Sequence, residues 1–153
     1  MIRLLIALIL PAVALAATEG LTPCPNGEPM PNEVQIENCV RVPCILPRGD
    51  YIRAVIDFTN PEYTETLTLK NEWREIASGI TGEFPFPSNI RDACLNLLNT
   101  ECPLYPSEDV AHNLTMPVLR IYPANLDLDL RIILKNDNSD AVMCFNVLAR
   151  TSG

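Results

Sequence analysis

The sequence predicts an all-β protein, an immunoglobulin-like antiparallel β-sandwich of about seven strands. Three observations point there. Segments that alternate apolar and polar residues recur along the chain, each bounded by Pro, Gly, Asn or Asp. Six cysteines and fourteen prolines in 153 residues suit an oxidised, stapled fold punctuated by loops. The length is about that of one domain, and 48% apolar with 20% charged residues is an ordinary globular composition.

Residues 1–3 form a short basic start and residues 4–16 an apolar run ending in Ala14-Leu15-Ala16, an A-x-A cleavage pattern. Residues 1–16 are therefore expected to be a signal peptide and 17–153 the mature domain, soluble and released to the extracellular fluid or to an endosome–lysosome lumen. Residues 22–31, rich in Pro, Gly and Asn, are expected to be irregular. Val34, Ile36 and Asn38 mark a first short strand, and Pro43 and Pro47-Arg48-Gly49-Asp50 mark turns. In residues 51–59, Ile52, Ala54, Ile56 and Phe58 alternate with Arg53, Val55 and Asp57, which predicts a strand that Asn60-Pro61 ends. Residues 64–70, with Leu67 and Leu69 among Thr and Glu, predict another. Residues 73–80 fit either its continuation or a short helical turn.

Phe84-Pro85-Phe86-Pro87 is expected at an edge or in a loop, because its prolines lack the N–H that a central ladder needs. Residues 91–100, with Ala93, Leu95, Leu97 and Leu98, suggest a single helical turn. Residues 110–122 predict a long strand with Met116, Val118 and Arg120 on one face. Residues 126–132 alternate most cleanly, with three Leu and Ile132 inward and Asp127, Asp129 and Arg131 outward. Residues 136–140 predict a hairpin loop and residues 141–148 the last strand.

An even number of cysteines in an exported chain implies disulfides, although sequence alone selects no pairing. Proximity favours Cys39–Cys44 and Cys94–Cys102, which leaves Cys24–Cys144. The cysteine spacing and the single histidine do not fit zinc, so no metal is expected. A net charge of −8 argues against nucleic acid as a partner, since phosphate binding needs clustered Lys and Arg. Nucleophilic catalysis needs a histidine base, and the sole candidate, His112, fits an exposed strand residue. Asp127 and Asp129 share a strand face, which the Leu alternation already explains as solvated. No enzymatic activity and no cofactor are expected. Asn113-Leu114-Thr115 is the one N-glycosylation sequon, with Asn113 as acceptor. Two sheets pack about 10 Å apart, and periodicity alone favours a filled core between them. A dry cavity propped open by aromatic and Pro-rich segments is the alternative, and it would bind an apolar ligand.

Several local patterns, taken in order, resemble the ML-domain lipid-recognition family, most closely its Niemann-Pick type C2-like and arthropod, group-two mite allergen-like branch. Cys39-Val40-Arg41-Val42-Pro43-Cys44 followed by Leu46-Pro47-Arg48-Gly49 is similar to the family's Cys-x-x-x-Pro-Cys and Leu-x-basic-Gly. The strand at 51–59 ends in Phe-Thr, as that family's does. Phe84-Pro85-Phe86-Pro87 lies upstream of Cys94, Met116-Pro117-Val118 leads to Tyr122-Pro123, and Cys144-Phe145 matches the terminal Cys-aromatic. The resemblance spans essentially all of residues 17–153. It implies a sandwich with a lipid cavity between the sheets, and it implies the disulfides Cys24–Cys144, Cys39–Cys44 and Cys94–Cys102. It further implies that Phe86, Val118, Tyr122 and Pro123 line the pocket or its mouth, with Phe58 and Phe145 as wall candidates.

The implied function is a secreted, monomeric carrier that binds a sterol or fatty acid and hands it on, to a membrane lipid-transfer receptor among other acceptors. Competing readings are an innate-immune accessory that binds microbial glycolipid and a carrier of fatty-acid or chemosensory ligands. The chain departs from the family's vertebrate sterol carriers in a longer segment at 60–82 and in Phe145, where they have Trp.

Overall fold

An alternating strand buries one face, so each must find a covering layer. In the computed structural model, which describes residues 16–153, the strands are Thr22–Pro23 (β1), Glu33–Ile36 (β2), Cys44–Leu46 (β3), Asp50–Thr59 (β4), Thr68–Glu75 (β5), Thr81–Glu83 (β6), Asp109–Val118 (β7), Asp127–Lys135 (β8) and Ala141–Thr151 (β9). Apart from Ala16, the expected signal peptide lies outside the described residues. One sheet has the order β2-β4-β7, and the other runs β1-β9-β8-β5-β6 with β3 also on β9. The pairs are antiparallel except β3 on β9, which is parallel. A short helix, α1 (Ser88–Arg91), and a 3-10 turn over Ala93–Asn96 lie between β6 and β7. The described residues thus form the expected all-β sandwich, with nine strand segments. Six of them are longer, and three are short margins: β1 has two residues, and β3 and β6 three each.

The core lies between the sheets. β4 contributes Ile52, Ala54, Ile56 and Phe58, and β7 contributes Val110, Leu114, Met116 and Val118. Against them pack Leu128, Leu130, Ile132 and Leu134 of β8 and Phe145, Val147 and Ala149 of β9, all buried. The outward Asp127 and Asp129 of β8 pair with Arg150 at 2.6 Å and Arg74 at 3.2 Å, respectively. Exposed pairs of this kind contribute about 0–1 kcal/mol each.

Several segments depart from expectation. Asn38 lies beyond β2 in a turn with φ of 58°, and Thr22–Pro23, within the segment expected to be irregular, pairs as β1. The strand expected at 64–70 pairs only from Thr68 and continues to Glu75, while Thr64 forms an isolated bridge with Leu104. Polar Asn71 and Glu75 occupy the inner face beside Leu69 and Trp73, which hides the period-two pattern. The strand expected at 110–122 stops at Val118, because its partner β4 begins at Asp50, opposite Val118. Residues beyond it turn, with the Tyr122 N–H donating to the Leu119 carbonyl at 3.2 Å, so Arg120 lies off the strand. The helical residues begin earlier than 91, at Ser88, and Asp92 caps the 3-10 turn by accepting from the Cys94 N–H at 3.1 Å.

His112 is the main correction. It is 1% exposed, not a surface residue, because β7 alternates Val110, His112, Leu114, Met116 and Val118 inward. Neither of its ring nitrogens has a partner among the described residues. The hairpin at 136–140 is present, and Asn136 organises it: its side-chain oxygen accepts from the N–H groups of Asn138 at 3.0 Å and Asp140 at 2.9 Å.

Three disulfides, Cys24–Cys144, Cys39–Cys44 and Cys94–Cys102, staple the fold. Cys24–Cys144 spans 120 residues and is buried with Ile133 on the outer face of the larger sheet. It anchors the N-terminal segment, whose own strand has only the pairs Thr22 with Asn146 and Pro23 with Phe145. Replacing both cysteines by serine is expected to lower unfolding stability by about 2–5 kcal/mol, measured by urea titration. A loss below about 1 kcal/mol would show that the segment is held by other means.

Candidate functional site

A cavity of about 580 Å3 opens between the sheets at the end where β7 finishes. Its walls come from strand ends: Leu46 of β3, Trp73 of β5, Met116 and Val118 of β7, Leu128 of β8 and Thr151 of β9. Its mouth is framed by Phe84 and Pro85, which follow β6, and by Tyr122, Pro123 and Leu126, which precede β8. Prolines at 85, 117 and 123 cannot donate to a ladder, so no further strand closes the gap. Cavities that take small molecules run about 300–1,000 Å3, and this one falls inside that range.

The mouth is fixed by specific contacts. The Arg48 guanidinium donates to the carbonyls of Ser152 at 2.8 Å and Tyr122 at 3.1 Å. The Thr151 hydroxyl donates to the Pro123 carbonyl at 2.7 Å and accepts from the Leu126 N–H at 2.8 Å. Phe84 sits between Trp73 and Tyr122, with ring centroids 6.4 and 5.4 Å away and both pairs tilted. Gly82 permits this arrangement, since a Cβ there would lie 2.5 Å from the Trp73 ring. Burial raises the Tyr122 phenol pKa, so the mouth keeps a neutral hydroxyl. Among the lining residues the charged ones are Glu75 and Glu83. Large apolar side chains stand exposed beside the mouth: Ile80, Leu119 and Ile121, the last 84% exposed.

A second cavity, of about 30 Å3, lies deeper, lined by Ile52, Ala54, Leu114, Leu130, Ile132 and Phe145 among others. Leu46 and Met116 line both cavities. Asn71 on β5 is 1% exposed, and its amide N–H donates to the Met116 sulfur at 2.9 Å. Its carbonyl oxygen has no partner among the described residues. An unpaired buried polar atom costs about 1–3 kcal/mol.

Of the residues singled out in the sequence, Val118, Tyr122 and Pro123 line the mouth cavity and Phe145 the inner one. Phe86 lines neither. The prolines on both sides of it end the extended run, so Phe84 takes the position at the mouth while Phe86 packs half-buried against the core. Phe58 is wholly buried at the far end of the β4–β7 ladder, opposite Val110, and lines neither cavity. Sequence reasoning did not single out Leu46, Trp73, Leu126 or Leu128. For Leu128 the inward alternation of β8 is itself a signal. For Trp73 the single tryptophan on an undecided segment gives only a weak one.

Comparison with known proteins gives one family model, described as the ML domain, over residues 20–151. The NPC intracellular cholesterol transporter 2 homolog a of Drosophila melanogaster is 31% identical over 119 residues, which cover 76% of each chain. The ecdysteroid-regulated 16 kDa protein of Manduca sexta is 30% identical over 107 residues, 70% of this chain and 69% of that one. The crystal structure of a Niemann-Pick type C2 protein from the Japanese carpenter ant superposes with a TM-score of 0.72 at 16% identity, covering 87% of this chain and 99% of that one. Chicken MD-1 complexed with lipid IVa superposes with a TM-score of 0.53 at 12% identity, covering 85% and 87%. The two superpositions establish a shared sandwich fold.

Proposed function

The chain belongs to the ML domain family, and on that premise we propose that it is a secreted carrier that holds one lipid, a sterol first, in the mouth cavity and transfers it between membranes. The observation that carries this reading is the apolar cavity of about 580 Å3 between the sheets, walled by Trp73, Phe84, Met116, Val118 and Leu128. Burying about 400 Å2 of ligand apolar surface contributes on the order of 10 kcal/mol before the costs of association. The mechanism is binding and exchange with no covalent step.

Sterol leads because the Drosophila relative is named as a cholesterol transporter homolog. The charged residues of the lining are Glu75 and Glu83, and the guanidinium at the mouth, Arg48, is engaged by the Ser152 and Tyr122 carbonyls, which disfavours a phosphorylated microbial glycolipid. Exposed Ile80, Leu119 and Ile121 suit brief apposition to a donor or acceptor surface during transfer. A glycan on Asn113 would leave the mouth free, since Asn113 lies on the outer face of β7.

The test is transfer of a fluorescent sterol between donor and acceptor vesicles. Catalytic amounts of protein are expected to accelerate transfer in proportion to their concentration. If neither sterol nor fatty-acid probe moves faster than in buffer, the carrier reading fails.

A further inference from the structure

Glu75 is a carboxylate set into a largely apolar wall. It ends β5 on the inner face, opposite Leu128 of β8, and lines the mouth cavity half-buried. The other lining carboxylate, Glu83, is drawn to the outer face of the sheet, where Lys70 holds it and Glu72 at 2.9 Å each. Glu75 has no such counterion. Its carboxylate accepts from the Ser78 hydroxyl, and no cation pairs with it among the described residues. Arg48 is already engaged by the Ser152 and Tyr122 carbonyls. A carboxylate that is partly desolvated without a countercharge keeps unused capacity to accept hydrogen bonds. The deep end of the cavity, bordered by Leu46 and Met116, is apolar. A lipid therefore fits with its hydrocarbon body inward and its headgroup beside Glu75.

We propose that Glu75 is a specificity-determining residue that pairs with the headgroup of the bound lipid and selects it by charge. The proposal rests on the carrier reading and adds the headgroup class to it: a hydrogen-bond donor without negative charge, an alcohol or a protonated amine. A hydroxyl donates directly to a carboxylate oxygen. An ammonium adds coulombic attraction, which partial burial strengthens. A fatty acid brings a second carboxylate to the same place, and like charges disfavour each other there. The Tyr122 phenol at the mouth is neutral and supplies no countercharge to offset that repulsion. The site therefore discriminates among lipids of equal chain length by what their headgroup carries.

The test compares oleyl alcohol, oleylamine and oleic acid, one chain with three headgroups, by displacement of a fluorescent sterol at pH 7.4 and below their aggregation concentrations. The wild type is expected to bind the alcohol and the amine each roughly tenfold more tightly than the acid. Glu75→Gln keeps the shape and removes the charge, so the preference over the acid is expected to shrink to about threefold or less. Glu75→Lys is expected to reverse it and make the acid the tightest of the three. The glutamine variant carries the test if the lysine variant does not fold. Equal wild-type affinity for acid and alcohol, or a preference undiminished in either folded variant, would overturn the assignment and leave the carrier reading intact. Failure of the wild type to bind the sterol probe and all three ligands would overturn both.

Discussion

Val118→Trp is expected to weaken binding of a fluorescent sterol at least a hundredfold, with the fold intact. Val118 ends β7 on the inner face and forms part of the cavity wall, opposite the start of β4. Inserting a larger side chain into a packed core costs about 1–3 kcal/mol through displaced neighbours. Here the added ring has empty volume to occupy, so stability falls little while the ligand loses its place. A hundredfold loss corresponds to about 2.7 kcal/mol, a modest part of the ~10 kcal/mol that lipid burial contributes. The informative contrast is Phe86→Ala. Phe86 packs against the core without lining the cavity, so its truncation is expected to lower stability by about 3 kcal/mol, less where the ring is only half-buried. Its effect on probe affinity should be the smaller of the two. Equilibrium titration of both variants, with thermal melts beside them, measures this. Normal binding by Val118→Trp would place the ligand elsewhere.

The second large effect concerns pH. Burial lowers the His112 pKa from 6.5 to about 4, because desolvation penalises the charged ring. In the unfolded chain the imidazole titrates near its ordinary value, so between those two pH values the unfolded state holds more protons than the folded one. Stability is then complete above about pH 6.5 and falls as the pH drops toward 4, by about 3 kcal/mol in all. Carboxylates held low by their partners, such as Asp127 beside Arg150 and Glu72 beside Lys70, add their own loss at lower pH, below the ordinary carboxylate range. The two contributions overlap only near the acid end of the histidine window. His112→Leu is expected to remove the slope between pH 6.5 and about 4 and to be at least as stable as the wild type at neutral pH. Urea denaturation across that range checks it. An unchanged slope in the leucine variant would assign the pH response to other groups.

The sandwich could be read from the sequence because its strands obey a period of two wherever one face is apolar. The alternations in β4 and β8, Ile52 to Phe58 and Leu128 to Ile132, locate both sheets and their inner faces. β5 is obscured because Asn71 and Glu75 interrupt its inner face, so a propensity count sees polarity where the structure has a wall. The same period that placed Met116 and Val118 inward also places His112 inward, two steps further back. A polar residue type suggests exposure there, and the geometry of the strand overrides it.

At the mouth the family resemblance implies Val118, Tyr122, Pro123 and Phe86, and the first three line the cavity while Phe84 stands where Phe86 is expected. Two aromatics flanked by prolines have no ladder to fix their facing, so only tertiary contacts with Trp73 and Tyr122 decide which one turns in. The hollow itself has no sequence signature. A filled and an empty interior are written with the same alternating residues, and the difference lies in how the chain turns at Glu83 and Val118.

Whether that hollow takes a guest is decided by native mass spectrometry of residues 17–153 offered cholesterol and oleic acid at neutral pH. The cavity between the sheets predicts a population heavier by the mass of a single lipid, which disappears in Val118→Trp. A spectrum showing only the bare chain with every lipid offered, or the same adduct in the tryptophan variant, would contradict it.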